Sequence, residues 1–112
     1  MSGKVIFNAD DFGATRGINQ AIIEAYNQGI LNAASLMINQ KYALEAVELS
    51  KKTEGLELGL HLTLTNGPSL SGHEKLPLLT DENGFFKNGF LKLCLLALFR
   101  PKALRKEVEI ET

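Results

Sequence analysis

Asp10, Asp11 and His61 are the residues of this 112-residue sequence whose types and placement could do hydrolytic chemistry. The two carboxylates end the stretch Val5-Ile6-Phe7-Asn8-Ala9-Asp10-Asp11, and Phe12-Gly13 closes it. An apolar run ended by Gly reads as a buried strand. Adjacent acids at the end of such a strand are costly, because each must find a cation, a hydrogen-bond donor or water. A divalent ion would make the pair tolerable; a solvated Asp-Asp turn capping the next helix is the plainer alternative, and this stretch alone leaves both open. His61 is a strand histidine, and such a residue by itself is more often structural than a ligand. Its placement at the same sheet end as the acids raises the metal reading, since imidazole plus carboxylate commonly hold hydrolytic divalent metals.

The elements that must position these groups follow in order. Ile18, Ala21, Ile22, Ala25 and Tyr26 make one apolar face and predict a helix over residues 18–28, with Thr15 as N-cap and Gly29 at its end. Residues 33–38 read as a second strand closed by Asn39-Gln40. A second helix spans 42–52, with Ala43, Leu44, Val47 and Ser50 inward and a Glu48–Lys52 pair on its wet side. Gly55 precedes a third strand over 56–64, in which Leu56, Leu58, Leu60, Leu62 and Leu64 alternate with Glu57, Gly59, His61, Thr63 and Thr65. Strand, helix, strand, helix, strand with short connections is the pattern of an α/β parallel sheet with crossover helices. Ligands of such sheets collect at the carboxyl ends of the strands, where Asp10, Asp11 and His61 would lie.

Residues 65–89 are rich in turn formers and read as a long loop near the site, serving substrate binding or simply surface. His73 within it is expected to be solvent-exposed rather than a ligand. Residues 90–99 form a strongly apolar helix, and Pro101 opens a last helix running to the end of the sequence.

Composition sets the broad class. Hydrophobic residues make up 45% and the net charge is −1, which favours neither nucleic acid nor an anionic membrane surface. A single cysteine, Cys94, excludes an internal disulfide and suits a cytoplasmic protein. No signal-peptide pattern opens the sequence, and its longest apolar run is too short to span a bilayer. One domain over residues 1–112 is expected.

Three motifs carry a resemblance. Asn8-Ala9-Asp10-Asp11-Phe12-Gly13, then Ser35-Leu36-Met37, then Gly59-Leu60-His61-Leu62-Thr63-Leu64 are similar in order and spacing to the YdjC-like carbohydrate deacetylases, which include chito-oligosaccharide deacetylases. The resemblance implies the N-terminal βαβαβ portion of a deformed (β/α) barrel of the polysaccharide-deacetylase type. It also implies a divalent metal, Mg2+ or Zn2+, and hydrolysis of the acetamide of an N-acetylated oligosaccharide. By position, Asp11 and His61 match metal ligands and Asp10 matches the general base. The family's third ligand is a histidine in a later motif that lies beyond these residues.

The chemistry is self-consistent: a metal-bound water made acidic, and Asp10 near it to take the proton as the amide carbon becomes tetrahedral. Two rivals stand beside it. Asp11-Phe12-Gly13 spells the magnesium-binding triplet of protein kinases, but none of the preceding kinase motifs is present, so that reading is rejected. The other is a truncated, inactive sugar- or metal-binding fragment. Its third strand would keep an open edge and the helix over 90–99 an uncovered apolar face, leading to self-association.

Overall fold

The structure is a computed structural model and describes residues 3–112. The chain divides into two compact units, one ending at His61 and the other running from Leu62 to Thr112. In the first unit, β1 (Asn8–Phe12), α1 (Arg16–Asn27), β2 (Ala33–Leu36), α2 (Ala43–Lys51) and β3 (Glu57–Leu60) alternate along the chain. The strands form one parallel sheet in the order β1-β2-β3. This is the α/β arrangement that the alternating pattern predicts.

Strand β1 lies further along the chain than the apolar run suggests. Val5, Ile6 and Phe7 are exposed and outside it, contrary to the buried strand expected there. The backbone beside them is taken by a side chain as well as by β2. Asn32 Oδ1 accepts from Phe7 N at 2.9 Å, and Asn32 Nδ2 donates to the Val5 carbonyl at 3.1 Å. Phe12, Ile22, Ala34 and Ala46 form the buried core of the unit, with Ala9, Ile18 and Leu36 packed against it.

Helix α1 starts where Thr15 Oγ1 accepts from Ile18 N at 3.1 Å, and Thr15 has the extended backbone of an N-cap. It stops at Gly29 (φ 74°) in a Schellman turn, with Gly29 N bonded to Tyr26 O and Ile30 N to Ala25 O. Helix α2 buries Ala43 and Ala46, whereas Leu44, expected inside, is 82% exposed. Its small residues let the helix approach the turn after β1, and Leu44 lies almost opposite Ala46 around the helix. Lys51 rather than Lys52 pairs with Glu48, at 2.9 Å. That hydrogen bond, and the Lys51 charge, hold the Glu48 carboxyl below its ordinary value.

In the second unit, α3 (Phe90–Phe99) and α4 (Pro101–Glu111) follow the long connection, with Pro101 in the first turn of α4. Residues 65–89 carry no helix or named strand, but they are not merely surface. Leu76, Leu79 and Phe86 are buried together, with Leu93, Leu104 and Val108 of the two helices packed on them. Two carboxylates of α4 hold this segment. The buried Glu107 accepts from Leu78 N and Leu79 N at 3.1 Å, and Glu111 accepts from Leu70 N at 2.8 Å and Ser71 N at 3.1 Å. His73 is half-buried rather than exposed, its Nδ1 lying 3.2 Å from Thr80 Oγ1. Phe90, Leu91, Leu98 and Phe99 of α3 stay largely exposed. No helix among the described residues is long and apolar enough to cross a membrane.

Gly13 lies close against the backbone of α2 and of the β2–α2 connection. Its φ is +101°, and a Cβ there would lie 3.1 Å from both Ala43 Cα and Met37 O. Gly13→Ala should therefore destabilise the protein by about 1–3 kcal/mol. Urea unfolding checks this: the midpoint should fall with an unchanged slope, and an unmoved midpoint would contradict it.

Candidate functional site

Strand β1 carries one residue more than its partner. Asn8 pairs with Ala33 and Ala9 with Ala34, but Phe12 pairs with Leu36, so Asp10 and Asp11 together oppose the single Ser35. This is a β-bulge. Its consequence is directional. In a regular strand Asp11 would share the side of Ala9, and Phe12 would be turned away from it. Here Ala9 and Phe12 both pack into the core. The extra residue thus leaves two consecutive carboxylates on the opposite face of the sheet. Asp11 absorbs the change with a φ of 63°, in the left-handed region that Asp tolerates better than most residues. Backbone strain of this kind tends to sit at functional positions.

His61 arrives on that face from β3. Its backbone N–H donates to Leu36 O at 2.9 Å, extending the β2–β3 ladder by one residue past Leu60. In strand alternation it follows Glu57 and Gly59, which pair with Ala33 and Ser35. Its Nδ1 faces Asp11 Oδ1 at 3.5 Å. That is longer than a charge-assisted hydrogen bond, and Nδ1 is buried with no hydrogen-bond partner. A buried imidazole nitrogen left unpaired beside a carboxylate fits a cation between them. Two donors that each lie about 2.0–2.2 Å from one ion are separated by roughly 3–3.5 Å at ordinary coordination angles. Asp11 and His61 thus fit a divalent ion as two of its ligands. Among the described residues, no group of three His, Cys, Asp or Glu side chains is placed to hold a metal.

Asp10 lies beside this pair on the bulge, exposed, with Oδ1 2.9 Å from Asn8 Nδ2. The same Asn8 nitrogen donates to Ser35 Oγ at 2.9 Å. Behind the bulge, the fully buried Asn19 of α1 holds the turn. Its Oδ1 accepts from Gly13 N at 2.7 Å, and its Nδ2 donates to Tyr42 O and Glu45 Oε1, each at 3.2 Å. Tyr42 N closes the ring by donating to Gly13 O at 3.1 Å, and Arg16 pairs with Glu45 at 3.0 Å.

The match to known proteins extends over nearly all of the sequence. Residues 4–112 fit the family model described as YdjC-like protein. The chain belongs to the YdjC-like family. Its relatives include a carbohydrate deacetylase of Thermoanaerobacter pseudethanolicus, 46% identical over 77% of this chain and 34% of the relative. Another from Vibrio cholerae is 46% identical over 74% of this chain and 32% of its own length. Carbohydrate deacetylase 1 of Listeria innocua is 44% identical over 80% and 36%. The chain spans about a third of the length of the curated relatives it matches. A crystal structure from Enterococcus faecalis, of a protein for which cleavage of cellobiose phosphate has been suggested, superposes with a TM-score of 0.78 at 35% identity. It covers 95% of this YdjC-like chain and 39% of its own.

Asn19, Asn8 and Ser35 carry contacts that sequence patterning did not assign. Asn19 lies three residues from Ile22 and seven from Tyr26, so it was a polar side chain on an apolar stripe, which is a usable signal. Removing it would orphan the buried Gly13 N–H. Asn19→Ala should cost about 1–3 kcal/mol, and Asn19→Asp, which keeps the acceptor, less of the Gly13 contact. Amide exchange at Gly13 checks the cause: it should quicken most in Asn19→Ala, and equal protection in both variants would contradict it.

Proposed function

We propose that the whole protein is a divalent-metal-dependent carbohydrate N-deacetylase that removes the acetyl group from N-acetylated, chito-oligosaccharide-like sugars. The observation that carries this is the Asp11–His61 pair, 3.5 Å apart with a buried, unpaired Nδ1, in a chain whose relatives are named carbohydrate deacetylases. In this reading the βαβαβ sheet is the N-terminal part of a deformed (β/α) barrel, and the residues that complete the metal's ligand set lie on later strands. The single cysteine, free in the structure, suits work in the reducing cytoplasm.

Asp11 and His61 would hold Mg2+ or Zn2+, which when bound supplies Lewis acidity to the amide carbonyl and to a coordinated water. Asp10 is the general base. It lies one residue from the proposed ligand Asp11, on the same face, with its carboxylate oriented by Asn8. From there it takes the proton of the attacking water as the C–N bond's carbon becomes tetrahedral. A cation held by Asp11 and His61 would supply the positive charge that offsets the oxyanion. The C–N bond then breaks: the water oxygen leaves in acetate, and the nitrogen stays on the sugar as an amine, taking up the proton that Asp10 received.

A second reading concerns these residues alone. Two donors rather than three within the described residues favour weak metal binding without turnover for this part by itself.

In the whole protein, Asp10→Asn should keep its metal and lose about 10²- to 10⁴-fold in kcat for acetate release. Asp11→Ala and His61→Ala should instead lose bound metal, with activity partly restored by added metal. Metal content by atomic absorption and acetate release from N-acetylated chito-oligosaccharides read these effects. Equal metal content in all three variants would show that the roles are assigned wrongly.

A further inference from the structure

We infer that Asn8 is a positioning residue for Asp10, tying its carboxylate to β2 through Ser35. This rests on the reading of Asp10 as the base. One amide nitrogen makes both contacts, to Asp10 Oδ1 and to Ser35 Oγ, each at 2.9 Å. The orientation of the amide is settled by chemistry: an ionised carboxylate only accepts, so the NH2 end must face Asp10, and its second hydrogen is the one that reaches Ser35.

The need for such a tie follows from the bulge. Asp10 is exposed and sits where β1 loses its regular pairing with β2, so the backbone alone leaves its side chain free to choose among rotamers. Asn8 precedes the bulge, at a position still in register with Ala33. Its side chain lies two residues from Asp10 on the same face and reaches across to the residue that Asp10 and Asp11 jointly oppose. The Asn8 amide therefore bridges the irregularity from a regular position. Ser35 is the anchor on β2, half-buried and paired with Gly59, whose missing side chain leaves the Ser35 hydroxyl uncrowded.

A residue acting only through Asp10 leaves a distinct kinetic trace. In the whole, metal-loaded protein, Asn8→Ala should lower kcat for acetate release by about 10- to 100-fold with KM within about twofold of the parent, since misplacing a catalytic group by an ångström costs that much. Metal content should be unchanged. Asn8→Asp, of the same size but without the donor and with a like charge facing Asp10, should be worse than Asn8→Ala. Ser35→Ala should lower kcat in the same sense but less. In an Asp10→Asn background, Asn8→Ala should add no further loss. A crystal structure of Asn8→Ala gives a readout independent of turnover: the Asp10 carboxylate should leave its present position. An unchanged kcat, losses that multiply in the double variant, or an unmoved Asp10 would overturn the inference. A parent protein that releases no acetate from any N-acetylated sugar would count against the deacetylase reading instead, and the crystal structure would still decide the role of Asn8.

Discussion

One inserted residue in β1 governs the site. Because Ala9 and Phe12 both point into the core, the two residues between them must share the other face. Burial of Phe12, fully enclosed, is worth about 1.5–3 kcal/mol, enough to offset a left-handed Asp11. The hydrophobic anchor and the strained carboxylate are thus coupled. A β1 without the bulge would send Asp11 into the apolar core and Phe12 to the open face.

The rest of the first unit holds that irregularity in place. Gly13 permits the turn directly behind the acids, and small Ala43 lets α2 come against it. Asn19 then joins the turn to the β2–α2 connection through Gly13 N and Tyr42 O. A buried amide with all three contacts satisfied fixes one arrangement, because any other leaves a polar group unpaired away from water. Strand β3 completes the geometry by carrying the ladder one residue past Leu60, so that His61 is delivered to Asp11 by backbone pairing.

Element types were legible in the sequence because their signals are local. Thr15, Gly29 and Pro101 mark helix ends, and they stand where they were read. What the pattern could not give was tertiary. Val5-Ile6-Phe7 has strand composition, but Asn32 takes up the backbone polar groups beside it and the strand proper begins at Asn8. Leu44 lost its inward place to Ala43, which lies against Gly13, and to Ala46, which packs in the core with Phe12 and Ile22. The polar stretch 65–89 looks like surface, yet Glu107 and Glu111 of α4 bind its backbone and give it a small core. The adjacency of Asp10 and Asp11 was visible from the start, whereas the bulge that makes it useful depends on pairing with β2, which no local signal encodes.

In the proposed site, the bulge brings Asp11 to His61 so that the pair holds a divalent ion. The most direct measurement is imidazole nitrogen NMR of the whole protein during titration with Zn2+. The Nδ1 resonance of His61 should shift in proportion to bound metal, while His73, engaged with Thr80, stays in place. Metal binding that leaves the His61 Nδ1 resonance unmoved would contradict the account.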